Sequence, residues 1–325
     1  MNILCRSFLS DWQDERWEYK YWWRFNRWVA SINIPRIAFE CKEEGKDFFT
    51  TLKERAELCK KVLEWRTELL RWTKAERLPL LFMWGAIARL EASDVIDPYL
   101  EWGYSTASLG YVGIHEALMI LYGYGIETEE GHNKAIEIVQ ALKNYCDEWN
   151  AEKNMGYSVY WTPAETLVYK FNQIDKAKYG SKLEYENIFK HEYYTNSFHI
   201  NVRTEIDAFN KLKKEADFQT LSSGWCISFI ECGDLTKNLP ALDTLSWFMY
   251  NTCQYAEFNM SNMDVCSTCN FVGKLDIEDN RWKCPQCGEK DLRKLVWTRR
   301  ICWYLTTNLP NKGKMNELLE RVYHI

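Results

Sequence analysis

The chain has 325 residues, of which 46% are apolar, and a formal charge of −5. That length and apolar share can fill a full hydrophobic core, so one large globular domain or two ordinary ones are expected. The acidic balance excludes a general nucleic-acid coat protein and leaves only local basic sites.

The opening residues, MNILCRSFLSDWQDE, lack the basic start and apolar run of a secretory signal. The longest apolar run, Leu78 to Ala88, falls short of the roughly 20 residues that cross a bilayer. A cytoplasmic location without membrane contact is therefore expected, with the 12 cysteines mostly reduced and open to metal or redox chemistry.

In chain order, the β-type run VASINI at 29–34 predicts a first strand. Apolar residues at Phe48, Leu52, Cys59, Val62, Leu63, Leu69 and Leu70 keep helical spacing, which predicts a long amphipathic helix between Gly45 and the RLP at 77–79. The same period at Ala135, Val139, Leu142, Cys146 and Trp149 predicts a second helix. YSVY at 157–160 reads as a strand, and TPAE at 162–165 combines a Thr N-cap, a proline and a glutamate, so a helix is expected to begin there. SFHINV at 197–202 and CISFIE at 226–231 read as further strands, and Met315, Leu318, Leu319 and Val322 mark a last helix. Strands alternating with helices predict parallel β/α units. Composition shifts after about residue 260, which divides the chain into 1–260, a cysteine module at 261–292, and 293–325.

In that module CSTC at 266–269 and CPQC at 284–287 are two C-x2-C pairs separated by 14 residues. Two such knuckles facing each other place Cys266, Cys269, Cys284 and Cys287 around a tetrahedral zinc ion, which would be coordinatively closed and structural. Four free or disulfide-bonded thiols and an iron–sulfur cluster are the alternatives, the latter disfavoured by the ribbon-like spacing with Gly288 after the last cysteine.

Taken in order, CRSFL at 5–9, NIPRIAFE at 33–40, SLGYVGIHE at 108–116, YYTNSFHI at 193–200, the two knuckles, TRRIC at 298–302, NKGK at 311–314 and RVYHI at 321–325 resemble the C-terminal half of the anaerobic, class III ribonucleotide reductases. The resemblance covers nearly the whole chain. It implies an α/β fold: the C-terminal half of a ten-stranded glycyl-radical-type barrel, with a small zinc-ribbon-like module. It also implies that Cys5, on a finger loop, becomes the thiyl radical that abstracts the ribose 3′ hydrogen of a ribonucleoside triphosphate. Asn26, 21 residues further on, matches an asparagine of the formate-using branch, so formate is the implied reductant. YYTNSFHI would line the substrate pocket, with Asn196 and Ser197 as candidate contacts, although a plain core strand explains that stretch nearly as well. The family's radical is installed by a radical-SAM activating enzyme on a backbone glycine, and the pattern Arg-Arg-x-Cys-Gly-Tyr-Leu puts that glycine at Trp303.

Tryptophan cannot replace that glycine, because the planar Cα radical needs a loop tip without a side chain. Aligned from Cys5, family glycines also fall at Trp17, Trp23 and Trp28, at Trp225 and, less consistently, at Trp161. Trp12 and Trp282 stand where the family itself has an aromatic residue, and Gly110, Gly113, Gly156 and Gly313 are retained. Repeated replacement of close-packing glycines by the largest side chain would ruin folding. A genetic code in which UGA means glycine, read with a table in which it means tryptophan, accounts for a subset of glycines becoming Trp. The family also carries a long region before the finger, whereas this sequence starts four residues before Cys5. Half a barrel would leave strand edges and apolar faces open unless a second polypeptide completes them, and the resemblance implies a homodimer once complete.

Two other readings compete. One is an inactive fragment or pseudoenzyme that binds a nucleotide or a partner protein. The other is a zinc-ribbon nucleic-acid binder using Arg293, Lys294, Arg299 and Arg300 as phosphate contacts. His115 and His199, lone histidines among apolar residues, are left without a role.

Overall fold

The computed structural model describes residues 9, 12–13, 16–101, 103–152, 155–162, 164–222, 226–260, 264–278, 281–296, 299–300, 305–306 and 311–325. Cys5, Trp225 and Trp303 lie outside them.

The first sheet is parallel, with strand order β1-β2-β3: β1 (Phe25–Asn33), β2 (Ser105–Val112) and β3 (Gly156–Trp161). The central strand β2, STASLGYV, is buried along its whole length, as expected for a parallel strand covered on both faces. β1 runs alongside it from Phe25 opposite Ser105 to Asn33 opposite Val112, with a slip in register between Asn26 and Val29. Helices carry the chain back between strands. α1 (Ile34–Glu44), α2 (Phe48–Glu68) and the short α3 (Pro79–Phe82) follow β1, and α4 (Ile114–Tyr122) and α5 (Glu129–Glu152) follow β2. α2 packs on β1, α5 on β3, and α1 on α4, which closes the core around Ile37, Phe39, Leu109, Leu118 and Val139.

Local sequence explains the sharp turns at the strand ends. Asn33 closes β1 and caps α1, its Oδ1 accepting from the Arg36 amide, with Pro35 in the first turn. Gly113 ends β2 at φ +83°, and a Cβ there would strike the Pro35 ring, so the β2-to-α4 turn requires glycine.

A second parallel pair, β4 (Ser228–Cys232) and β5 (Ala256–Met260), lies beyond α6 (Leu167–Tyr179), α7 (Glu186–Phe189) and α8 (Ala208–Gln219), and its crossover helix is α9 (Leu239–Thr252). Leu212, Ile230, Leu245 and Met249 form its own apolar cluster. The cysteine module follows with short antiparallel strands β6 (Asp264–Cys266), β7 (Phe271–Gly273), β8 (Asp276–Glu278), β9 (Arg281–Lys283) and β10 (Leu295–Val296). β11 (Arg299–Arg300) pairs with β12 (Leu305–Thr306), and α10 (Lys312–Glu320) ends the chain's regular structure. No described helix is long and apolar enough to cross a membrane.

Three expectations need correction. SFHINV is not a strand: residues 193–206 form an irregular strap with Ser197 at φ +39°. Two of its amides are taken by side chains rather than by a neighbouring strand, Thr195 N–H by Glu116 and Ile200 N–H by Glu215. The helix expected at 162–165 begins at Leu167 instead, because the Thr162 hydroxyl bonds Ser31 Oγ at 2.5 Å and the Ala164 amide donates to Asn196 Oδ1, so tertiary partners occupy the would-be cap. The helix expected to reach 77–79 stops at Glu68, where the chain leaves the helical path and Trp72 adopts a left-handed conformation.

Candidate active site and metal centre

Two places concentrate chemistry. In the cysteine module, the Cys266 and Cys287 sulfurs are 3.7 Å apart and those of Cys269 and Cys284 3.6 Å, and all four lie within 4.8 Å of one another. A tetrahedron with Zn–S bonds of about 2.3 Å has edges of about 3.8 Å, so the thiols already stand at the separations a four-thiolate metal requires. The knuckle geometry comes from Gly288, at φ +76°, whose N–H donates to Cys284 O at 2.9 Å. Leu275, Trp282 and Leu295 form the small apolar core beneath.

The second place is the strap. Glu116, in the first turn of α4, accepts from both the amide (3.0 Å) and the hydroxyl (2.7 Å) of Thr195, and Asn201 donates to the same hydroxyl. Asp175 on α6 is fully buried and accepts from Asn33 Nδ2 at 2.9 Å, Tyr194 OH at 2.9 Å and Arg36 Nε at 2.6 Å. Two carboxylates from different helices thus hold Tyr194 and Thr195 against the C-terminal end of the first sheet. Sequence reading missed both. A pattern that did point there was Asn-x-Pro at 33–35, read only as part of a motif.

Asn196, next along the strap, lines a pocket together with His199, Lys211, Arg300 and His324. Ser197 does not line it. Its hydroxyl donates to the Tyr111 carbonyl at 3.1 Å, with the Thr162 carbonyl at 3.3 Å, and the residue is 1% exposed. Each cation at the cavity faces a carboxylate: Lys211 with Glu215, Lys314 with Glu317, Arg321 with Glu317 at 3.0 Å and Glu231 at 3.4 Å, and Arg300 with Glu257 at 2.6 Å. Burial in this region depresses the imidazole pKa values, that of His199 downward and that of His324 to about 4. His324 accepts the Glu231 amide on Nδ1, which requires the neutral ring.

Asn26 is half-buried on β1 opposite Thr106, beside the slip in register. Trp17 and Trp23 have φ of +63° and +58° and are 79% and 53% exposed. Trp28 is half-buried on β1 under the Arg66 guanidinium. β11 and β12 flank positions 301–304, and Arg300 of β11 lines the cavity. Of the cations read as possible phosphate contacts, Arg293 pairs with Asp291, Lys294 with Glu289 and Arg300 with Glu257.

The sequence profile of the anaerobic ribonucleoside-triphosphate reductases matches residues 2–324. The chain belongs to that family. It is 35% identical to the anaerobic ribonucleoside-triphosphate reductase of Escherichia coli K12 over 99% of this chain and 45% of that one. With the enzyme of Enterobacteria phage T4 it shares 34% identity over 98% of this chain and 52% of the relative. The chain therefore spans about half the length of the relatives it matches. Among solved structures, an anaerobic ribonucleotide reductase superposes with a TM-score of 0.67 at 20% identity, covering 91% of this chain and 44% of that one. The Thermotoga maritima enzyme in complex with dATP and CTP superposes with a TM-score of 0.60 at 20% identity, covering 90% and 44%. The mixed α/β architecture is thus shared with the solved anaerobic ribonucleotide reductases.

Proposed function

We propose that this chain is the catalytic C-terminal part of an anaerobic ribonucleoside-triphosphate reductase, acting in the cytoplasm. The observation that carries the reading is the family match running unbroken from residue 2 to 324. In this reading the two parallel sheets belong to a ten-stranded barrel, and the complete enzyme is a homodimer. Residues 1–260 supply the barrel half and finger, 261–292 the metal module, and 293–325 the radical loop and closing helix.

The roles follow from the family resemblance and the chemistry it implies. Cys5 carries the thiyl radical that takes the 3′ hydrogen of a ribonucleoside triphosphate, and Asn26 on β1 serves the formate-dependent reduction. Position 303 stores the radical between visits to Cys5, which requires glycine there. The radical is installed by a radical-SAM activating enzyme. Codons for 17, 23, 28, 225 and 303 are UGA read as glycine, and those for 12 and 282 are UGG. The left-handed backbone at Trp17 and Trp23 supports this, since an L side chain in that region costs roughly 1–2 kcal/mol. Trp12 supports the converse half. Its indole lies flat on Gly103, where a Cβ would approach Trp12 Cε2 to 2.8 Å.

Asn196 forms the polar wall of the substrate cavity, and Ser197 fixes the strap that carries it. The barrel excludes water and oxygen from the radical. Cys266, Cys269, Cys284 and Cys287 would hold a structural zinc ion, which stabilises the fold before the radical loop and leaves no open coordination position for substrate.

The test uses the complete enzyme made with its host's decoding, together with the activating enzyme, assembled without oxygen. A glycyl-radical paramagnetic signal and formate-dependent deoxyribonucleotide formation are expected. Cys5→Ser should keep the radical signal and abolish product. Product formation by Cys5→Ser would remove Cys5 from the chemistry, whereas a complete enzyme that forms neither radical nor product would leave a pseudoenzyme as the better account.

A further inference from the structure

Among the described residues six non-glycine positions have positive φ, and three of them are tryptophan: Trp17, Trp23 and Trp72. Tryptophan is 16 of 325 residues and has no tendency toward this conformation, whereas glycine adopts it freely. Trp72 stands apart from the finger and from the radical loop. It follows the end of α2 at φ +64°, its backbone N–H donates to Asp97 Oδ1 at 2.8 Å, and its side chain is left 79% exposed. A left-handed residue shortly after a helix, with its amide committed and its side chain in solvent, is a glycine position in every physical respect.

Trp161 fails for a different reason. It ends β3 and is 2% exposed, yet its ring centroid lies 3.0 Å from that of Phe198 at an interplanar angle of 43°. Aromatic pairs sit 4.5–7 Å apart, so the space at 161 does not hold an indole and a phenyl ring together. Its Nε1–H does reach Tyr111 OH at 3.0 Å, but one hydrogen bond does not relieve rings forced into the same volume.

Other buried tryptophans behave differently. Trp149, 1% exposed, donates to Glu57 Oε1 at 2.8 Å and meets Tyr157 edge-on at 5.4 Å. The misfit is therefore a property of particular positions and not of tryptophan in this fold.

We infer that positions 72 and 161 are glycine in the functional protein, decoded from UGA, so the recoding runs through the whole chain and is not confined to the radical machinery. This deepens the reading of 17, 23, 28, 225 and 303 given above and shares its premise of a UGA-glycine code. It also changes the site. Trp161 packs 4.9 Å from His199, which lines the cavity beside Asn196, so removing the indole frees space behind that imidazole.

The test is the gene together with the protein purified from its own host. UGA at codons 72 and 161, and peptide masses lowered at each by the difference between tryptophan and glycine, are expected, with UGG and an intact indole at 12, 149 and 282. UGG at 72 or 161, or tryptophan in either native peptide, overturns the inference. That outcome combined with UGA at 17, 23 and 303 leaves the reductase reading standing. Loss of the reductase reading would show instead as a properly decoded, complete enzyme without radical or product.

Discussion

Acid should loosen the C-terminal tail through one imidazole. His324 is 9% exposed, its Nδ1 accepts the Glu231 amide at 2.9 Å, its own amide donates to Glu231 O at 2.9 Å, and its carbonyl accepts from Ala208 at 3.1 Å. Burial, with Lys211 and Arg321 nearby and only partial relief from Glu215 and Asp207, holds its pKa at about 4. The unfolded chain has it near 6.5. Because the folded value is the lower one, the unfolded state binds the proton first as pH falls. The stabilisation is full above about pH 6.5 and drains away toward pH 4. Integrating between those values gives a loss of about 2 kcal/mol from pH 7 to pH 5, approaching about 3 kcal/mol at pH 4. His324→Asn keeps an acceptor for the Glu231 amide without a titrating group. In urea unfolding, the parent should lose about 2 kcal/mol more than the variant between pH 7 and pH 5. His199, also depressed by burial, contributes equally to both and cancels. An identical pH dependence for the two proteins, or a parent that gains stability on acidification, would refute the reasoning.

Asp175→Asn removes the charge that Arg36, Asn33 and Tyr194 converge on. Breaking a buried pair costs about 3–5 kcal/mol, and because Arg36 is 25% exposed the lower end is expected from urea unfolding; a loss below about 1 kcal/mol would mean the network does not hold the strap. For the cysteine module, elemental analysis should find about one zinc per chain and none in Cys284→Ser. A metal-free parent or an iron chromophore would contradict a zinc site.

Much of this protein is legible from local pattern. The two C-x2-C knuckles anticipate the four sulfurs at tetrahedral spacing, because a C-x2-C turn fixes two thiols by itself and only the meeting of two turns is left to the fold. The helices over α2, α5 and α10 and the strands β1, β3 and β4 follow from periodicity, since amphipathic faces are set by residues three or four apart and by β-branched runs. SFHINV and TPAE misled for a common reason. Each has the composition of a regular element, but distant residues claim its backbone and capping groups: Glu116 and Glu215 take strap amides, and Ser31 takes the Thr162 hydroxyl. The positioning roles of Glu116 and Asp175 were equally invisible, since each joins partners far apart in the chain, Asp175 spanning from Asn33 to Tyr194. The tryptophans divide in the same way. Order along the chain exposes Trp17, Trp23 and Trp303 as glycine positions through the family pattern. At Trp161 the family pattern is inconsistent and ring separation decides, and only backbone conformation reveals Trp72, because left-handedness and overpacking are properties of the folded chain.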